Sequence, residues 1–284
     1  MKLHFILPLL LIGQLTFAQT FPKLSPTAKI EQKVGLCTIT IEYSRPSVKG
    51  RKIFGDLVPY EEVWRLGANE CTKFTIDQPI MFGSNQLDTG TYALFAIPGS
   101  GEFWEIIFNS DYSQWGSNAY DENKNVLQVD ADATISDCFT TETFNISIED
   151  ITNYSANIVF KWEQTKVTLP FIVDTDKQID DMIAAAVKKG EELDKVHYKA
   201  ASYFLKNMKD LKDLDRAMEH IDQSIEIEKT YSNLFVKAQI LAAQGNLKEA
   251  NKLGEEAKKM AINAEKKDWA EYMQKKMDEW GNKK

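Results

Sequence analysis

A run of cationic residues between positions 43 and 55 carries the densest potential chemistry of the chain. Arg45, Lys49, Arg51 and Lys52 place four positive charges within eight residues. The planar guanidinium of arginine binds a carboxylate or a phosphate through two parallel hydrogen bonds. The run therefore indicates a segment that could bind an anion.

The residue types allow two interpretations of this segment. In the first, a small anion or an acidic sugar binds in a pocket bordered by aromatic rings. The candidate ligand-binding residues are Arg45, Lys49, Arg51, Tyr60, Trp64, Arg65 and Asn69. In the second, which the sequence favours, Arg45 and Arg65 bind internal carboxylates or backbone carbonyls and Trp64 fills core volume, because structural networks gather the same residue types without a ligand.

Histidine-dependent catalysis is excluded from residues 19–173, which contain no histidine. Beyond His4, the only histidines are His197 and His220, and both fall in predicted helices. A Ser-His-Asp or Cys-His arrangement cannot be built without a histidine. The pair is 23 residues apart, which is not a metal-ligand spacing, so we expect two ordinary helix histidines. We assign no catalytic residue, no metal site and no cofactor.

Carboxylate pairs are the remaining route to catalysis. Glu61 and Glu62 lie beside Trp64, and Asp111 lies near two further aromatic residues. Two carboxyl groups flanking a substrate can act as acid and base, as in glycoside hydrolases. A carboxylate-dependent hydrolase acting on carbohydrate or another envelope substrate is therefore the alternative function.

Three cysteines, Cys37, Cys71 and Cys138, leave at least one thiol unpaired. Alternation places Cys37 on the apolar face of a strand with Ile39, whereas Cys71 is out of phase with its neighbours. We expect buried, inert thiols, with a Cys71–Cys138 disulfide left open as an alternative.

Aromatic residues at strand positions predict a core rather than a sugar-binding platform. Most of the following are expected to be buried: Tyr92, Phe95, Phe103, Trp104, Phe108 and Trp162. Trp115, between Gln114 and Gly116, is the better candidate for an exposed ring.

Composition divides the chain near residue 175. All eight prolines lie at or before Pro170, and only four of the fourteen glycines follow residue 175. Before that point apolar and polar residues alternate with the period of two that is typical of half-buried strands. The predicted strands span 37–43, 74–76, 91–97, 103–108, 126–129, 144–148, 156–162 and 167–171. We predict a multi-domain α+β protein, with an N-terminal antiparallel β-sandwich at 19–173 and an all-α domain at 176–284.

The C-terminal domain is predicted to consist of helical hairpins. A capping box of Thr175 and Gln178 starts the first helix, and Gly190 and Gly245 interrupt the periodic pattern. Leu214, Ala217 and Ser224 recur 33 residues later as Leu247, Ala250 and Ala257. Small residues at this spacing indicate a degenerate tetratricopeptide-like array, although Leu205 stands where a small residue is expected. Its groove is a candidate site for a protein or peptide partner.

Charge separates the two domains and excludes one class of partner. Residues 19–174 carry 12 lysines and arginines against 21 aspartates and glutamates, a net charge of −9, whereas residues 176–284 carry 21 of each. Nucleic-acid binding requires a basic face, so no nucleic-acid partner is expected.

The first residues predict export. Lys2 precedes an apolar stretch at 5–12, and small residues follow up to Ala18. This pattern is typical of a signal peptide, here 1–18, cleaved before Gln19. The stretch is too short to span a bilayer, and no later segment could do so. We expect a periplasmic or extracellular protein; an uncleaved N-terminal anchor is the alternative.

The cationic segment resembles the domain of unknown function 2911 family of exported bacterial proteins. The resemblance rests on Arg45-Pro46, Lys49-Gly50-Arg51, Ile53-Phe54-Gly55, Leu57-Val58-Pro59-Tyr60, Val63-Trp64-Arg65 and Gly67-Ala68-Asn69, and continues through Thr89–Pro98, Trp104 and Ile107-Phe108-Asn109. It covers about residues 24 to 170. Glu61 stands where the family commonly has glycine, and Leu66 where threonine is usual. The resemblance implies a secreted β domain and assigns no catalytic residues.

These observations favour a non-enzymatic exported binding or scaffold protein of the cell envelope. Its ligand, its oligomeric state and the packing between its domains are not encoded in any motif of the sequence.

Overall fold

The computed structural model describes residues 22–208 and 210–281, which form two compact units. The boundary between the units along the chain lies between Asp174 and Thr175. The first, the β unit, is built from antiparallel strands, and the second, the helical unit, from helices. The predicted α+β arrangement is therefore confirmed. The predicted signal peptide lies outside the described residues.

The β unit contains eleven strands among its described residues. They are β1 (Thr27–Val34), β2 (Cys37–Ser44), β3 (Thr72–Ile76), β4 (Ile80–Phe82), β5 (Asn85–Leu87), β6 (Gly90–Ile97), β7 (Phe103–Asn109), β8 (Asn125–Ile135), β9 (Thr141–Glu149), β10 (Ser155–Glu163) and β11 (Thr165–Ile172). Each predicted strand has a counterpart in this set. β1, β4 and β5 were not predicted, because Gln32 interrupts the alternation of Ala28, Ile30 and Val34 in β1 and because the other two strands are three residues long.

One antiparallel sheet links the strands in the order β1-β2-β3-β6-β7-β8-β11-β10-β9, with β4 pairing to β11 and β5. The chain just beyond β2 returns to β9 through an antiparallel bridge between Ser47 and Thr143. The sheet therefore curves round and brings its two ends together. The inward residues of successive strands form one large core, in which Ile39, Ile41 and Phe74 are fully buried.

The helical unit contains six helices in the described part of the chain. They are α1 (Thr175–Lys189), α2 (Leu193–Lys206), α3 (Leu211–Ile227), α4 (Tyr231–Ala243), α5 (Leu247–Asn263) and α6 (Lys267–Gly281). α1 begins at Thr175 and the breaks fall near Gly190 and Gly245, as predicted. None of the helices formed by the described residues is long and apolar enough to cross a membrane.

Candidate functional site

A cleft of about 610 Å³ opens in the β unit beside the cationic segment. Its walls come from residues 24–25, 46–47, 49, 51, 57–59, 62–65 and 67–68, with Ser117 and Trp162 added from elsewhere in the unit. The lining includes Lys49, Arg51, Trp64 and Arg65, four of the seven predicted ligand-binding residues. Sequence-distant segments therefore meet here because the sheet curves round on itself.

The charged side chains that line the cleft are mainly cationic, whereas the unit that contains it has a net negative charge. Lys49, Arg51 and Arg65 line it, and Glu62 is the one acidic residue among the lining residues. The rest of the wall is largely apolar, including Leu24 and Leu57, which are both exposed. A cleft with three cations and one carboxylate attracts anions even though the surrounding unit is acidic.

Arg65 is the least satisfied of these cations. Its neighbours Trp64 and Leu66 are buried in the core, and Arg65 itself is partly buried. Its Nε is buried without a hydrogen-bond partner. Burial lowers the pKa of the guanidinium from its usual value, because removal from water disfavours the charged form. An anion in the cleft would supply a counter-charge to this guanidinium.

Trp162 presents a second unpaired donor in the wall. The side chain is 2% exposed, and its indole Nε1 has no hydrogen-bond partner. By contrast, Trp64 Nε1 donates to the backbone oxygen of Gly67 at 3.2 Å. A buried unpaired donor costs about 1–3 kcal/mol. Two such donors, from Arg65 and Trp162, therefore belong to residues that line one cleft, which is unusual in a satisfied protein interior.

Arg51 and Lys49 shape the rim of the cleft. Arg51 Nε donates to Val48 O at 3.0 Å and its Nη2 to Ser47 O at 2.6 Å, while the side chain stays exposed. The backbone N–H of Lys49 donates to Glu142 Oε1 at 2.9 Å. These bonds fix the turn and leave both side chains exposed on the rim.

Arg45, Tyr60 and Asn69 are not among the cleft-lining residues. Arg45 Nε donates to Phe144 O at 3.0 Å and its Nη2 to Asn145 Oδ1 at 3.2 Å, which holds the segment after β2 against β9. Tyr60 packs against the main core. Asn69 Nδ2 donates to Ser25 O and to Ser44 Oγ, both at 3.1 Å. The predicted set is therefore divided between bracing and the cleft, and the bracing contacts are made with carbonyl and hydroxyl oxygens.

Backbone pairing positions the segment that carries Trp64 and Arg65. Trp64 exchanges two hydrogen bonds with Ala96 of β6, at 2.7 and 2.8 Å. Three residues on, Gly67 has a φ of +147°, and a Cβ there would lie 2.8 Å from Ser44 O. Only glycine allows so close an approach of two backbones. The pairing with Ala96 and the close approach at Gly67 place Trp64 in the core and Arg65 in the wall of the cleft.

The carboxylates proposed for catalysis do not converge in this cleft. Glu62 lines it, whereas Glu61 and Asp111 are not among its lining residues. Asp111 instead forms an ion pair with Lys124 at 2.8 Å. No cluster of three or more metal-ligating side chains occurs among the residues that the structure describes.

The three cysteines are free, so the Cys71–Cys138 disulfide is absent. Cys37 is buried in the main core, and Cys71 in a separate cluster with Ala93, Phe95 and Ile107, as their different phases predict. The prediction of a buried thiol is wrong for Cys138, which lies in the exposed turn between β8 and β9.

Phe103, predicted with the core aromatics, is 58% exposed, because β7 begins at the sheet margin.

Two histidines that sequence spacing separates are brought together in the helical unit. His197 Nδ1 and His220 Nδ1 lie 3.2 Å apart, and their rings stack at 5.4 Å. α2 and α3 pack side by side, which places residues 23 positions apart in contact.

Trp162 was not predicted as a cleft residue, since no sequence signal links β10 to the cationic segment.

The sequence pattern of a known family, described as "Protein of unknown function (DUF2911)", matches residues 25–171. The chain belongs to this family. The match spans both the cationic segment and the strands that surround the cleft, so the DUF2911 region and the β unit nearly coincide. No curated protein and no solved structure matches the chain.

Proposed function

We propose that this DUF2911 protein is a non-enzymatic binding protein of the cell envelope, and that its β unit binds a small anion or an acidic sugar in the cleft. The observation that carries the proposal is the partly buried Arg65, whose Nε has no hydrogen-bond partner, in a cleft that Lys49 and Arg51 also line. A carboxylate, sulfate or phosphate group would accept hydrogen bonds from these donors. The apolar wall would hold the rest of the ligand.

Calorimetric titration of the full chain tests this proposal. The ligands are phosphate, sulfate, galacturonate and glucuronate, with glucose as the neutral comparison and sodium chloride matched for ionic strength. At least one anion should bind. Arg65→Gln should weaken that binding by roughly tenfold or more, because hydrogen bonds to charged groups contribute about 1.5–3 kcal/mol.

Arg45→Gln is the matched control. It removes the same charge from the same connection between β2 and β3, but Arg45 contacts β9 and does not line the cleft. Its affinity for the anion should remain within a factor of two or three of that of the parent chain, because only long-range charge is lost. Equal losses in the two variants, or no binding of any anion, would refute the proposal.

The helical unit is proposed to be a tetratricopeptide-like module that binds a protein or peptide. Its support is the complete burial of Ala217, Ala250 and Ala257, the small residues at which the repeat predicts close helix approach. Leu247, equivalent to the buried Leu214, is partly exposed and departs from a regular repeat. Affinity capture from an envelope extract with the full chain should recover one defined partner over several salt concentrations; an empty capture would count against the module's role.

Export through the signal peptide at 1–18 remains part of the proposal. Expression of the full chain in a bacterial host, followed by N-terminal sequencing of the protein in the periplasmic fraction, should give a mature chain that starts at Gln19. A protein that keeps Met1 and stays in the cytoplasm would contradict it.

The alternative of a carboxylate-dependent hydrolase gains no support from the cleft. Such an enzyme needs two carboxyl groups on either side of the bond that is cleaved, and Glu62 is the one carboxylate among the lining residues. Turnover of an envelope polysaccharide that is abolished by Glu62→Gln would favour the hydrolase.

A further inference from the structure

Two large aromatic rings stand in solvent on one loop of the β unit. The loop joins β7 to the short 3-10 helix Glu122–Lys124 and is called here the aromatic loop, residues 110–120. Trp115 is 63% exposed and Tyr112 is 45% exposed. Single exposed aromatic residues are ordinary, but two on one short loop indicate a binding surface.

The aromatic loop is held in a defined position. It runs antiparallel to residues 69–73: Gly116 N donates to Asn69 O at 3.2 Å, Trp115 pairs with Glu70, and Cys71 N donates to Gln114 O at 3.1 Å. Hydrogen bonds from Lys124 and then Ser113 hold the pKa of Asp111 at about 2, so this anchoring carboxylate stays ionised at physiological pH.

A cation accompanies each exposed ring. Lys23 Nζ lies 5.6 Å from the centre of the Trp115 ring, and Lys73 Nζ lies 6.0 Å from that of Tyr112. Lys23 also pairs with Glu70 at 2.6 Å, which offsets part of its charge. Two ring-and-cation pairs on one loop offer more contacts than a single sugar ring can make.

The aromatic loop continues directly from the cleft. Ser117 lines the cleft, and a Cβ at Gly116, whose φ is +76°, would lie 3.5 Å from Arg65 Nη1. Cations and rings thus alternate from the Arg65 end of the cleft to Trp115 with Lys23 and then to Tyr112 with Lys73. This alternation of cations and aromatic rings suits a chain of rings that carries regularly spaced negative charges.

We propose that the ligand of the cleft is an acidic oligosaccharide whose chain leaves the cleft and crosses the aromatic loop, with sugar rings stacked on Trp115 and Tyr112. This inference rests on the proposed anion-binding function and names its ligand class. The positively polarised C–H face of a pyranose ring is attracted to the negative face of an aromatic ring, and its carboxylates pair with the adjacent lysines. A single-stranded nucleic acid also combines rings with charge, and the comparison with oligonucleotides below distinguishes it from the oligosaccharide.

The test compares monomers with tetramers on the full chain. Calorimetry measures the affinity for galacturonate and glucuronate and for their linear tetramers at one ionic strength. The tetramer of the preferred sugar should bind at least tenfold more tightly than its monomer. Trp115→Ala and Tyr112→Ala should each weaken tetramer binding by about three- to tenfold, as expected for one lost ring contact, and leave monomer binding unchanged.

Phe103→Ala is the control, because Phe103 is equally exposed in the same unit and lies outside both the cleft and the aromatic loop. It should leave both affinities unchanged, and Trp115→Phe should retain most of the tetramer affinity. Circular dichroism establishes that each variant is folded.

The outcomes separate the two proposals. A monomer that binds as tightly as its tetramer, or a tetramer affinity that is insensitive to Trp115 and Tyr112, overturns the oligosaccharide inference and leaves anion binding in place. Absence of binding by every anion overturns both. Tighter binding of single-stranded oligonucleotides than of the uronate tetramers replaces the oligosaccharide with a nucleic acid.

Discussion

The indole rings of Trp64 and Trp162 stack with their centroids 5.7 Å apart and their planes 18° apart. The first residue lies in the connection between β2 and β3 and the second in β10, nearly a hundred residues later. Phe54, Trp104 and Phe144 surround Trp64 edge-on at 5.2–6.2 Å. The wall of the cleft is therefore continuous with the most aromatic part of the core, so the site depends on the folded core.

Trp64→Ala should destabilise the β unit strongly. Truncation of a buried tryptophan removes its packing and leaves a cavity, which typically costs about 3–5 kcal/mol. Urea unfolding followed by far-ultraviolet circular dichroism measures the change. Trp115→Ala is the matched control and should cost under about 1 kcal/mol, because its ring is exposed and has only a lysine beside it. Equal costs would show that Trp64 is not a core residue.

Glu61→Gly should stabilise the protein slightly. Glu61 has a φ of +62°, a left-handed conformation that costs a residue with a Cβ about 1–2 kcal/mol. Glycine relieves this strain, but its greater conformational entropy stabilises the unfolded state by about 0.5–1 kcal/mol. The free energy of unfolding should therefore rise by up to about 1 kcal/mol.

Glu61→Ala separates strain from charge in that experiment. Alanine removes the exposed carboxylate and keeps the Cβ, so the free energy of unfolding should stay close to that of the parent chain. If alanine stabilises the protein as much as glycine does, the left-handed backbone is not the cause.

The histidine pair should make the helical unit sensitive to mild acid. Burial is the main cause that lowers the pKa of both His197 and His220 below the usual value of about 6.5, and for His220 the neighbouring His197 adds to it. Glu219 opposes the shift at both rings, Asp180 also opposes it at His220, and Arg216 reinforces it there.

Because the folded state binds these protons less readily than the unfolded state, the stabilisation is present in full above about pH 6.5 and is lost as the pH falls below that value. Thermal unfolding between pH 7.5 and 5 should show a declining melting temperature. The His220→Gln variant should decline less over the same window, since it lacks the second ring and its repulsion. Identical slopes for the two proteins would contradict this account.

The three thiols should differ in reactivity. Desolvation raises the pKa of Cys37 to about 11 and also raises that of Cys71. A thiolate is the reactive form, so both should react slowly with an aromatic disulfide reagent in the folded protein, whereas the exposed Cys138 should react at once. One fast equivalent that disappears in Cys138→Ser is expected; three fast equivalents in the native protein would contradict the burial of Cys37 and Cys71.

Strands and helices were largely readable from the sequence, because burial of one face imposes a period of two or of 3.6 on the apolar residues. Cys37 and Cys71 show how far such a pattern reaches: their opposite phases predicted two different clusters. The pattern failed at β1, where Gln32 interrupts the apolar face formed by Ala28, Ile30 and Val34, and at Phe103, where the strand begins at the edge of the core.

The sequence by itself determined the α+β division near residue 175, the absence of histidine from the β unit and the cluster of cations at 45–52. Only the tertiary structure decided which of those cations brace the fold and which line a cleft. Arg45 and Arg65 are the same residue type in the connection between β2 and β3, yet Arg45 donates to carbonyl and amide oxygens of β9 whereas Arg65 lines the cleft and keeps an unpaired Nε. Which oxygens a guanidinium can reach depends on strands distant in sequence, and the curvature of the sheet fixes their positions.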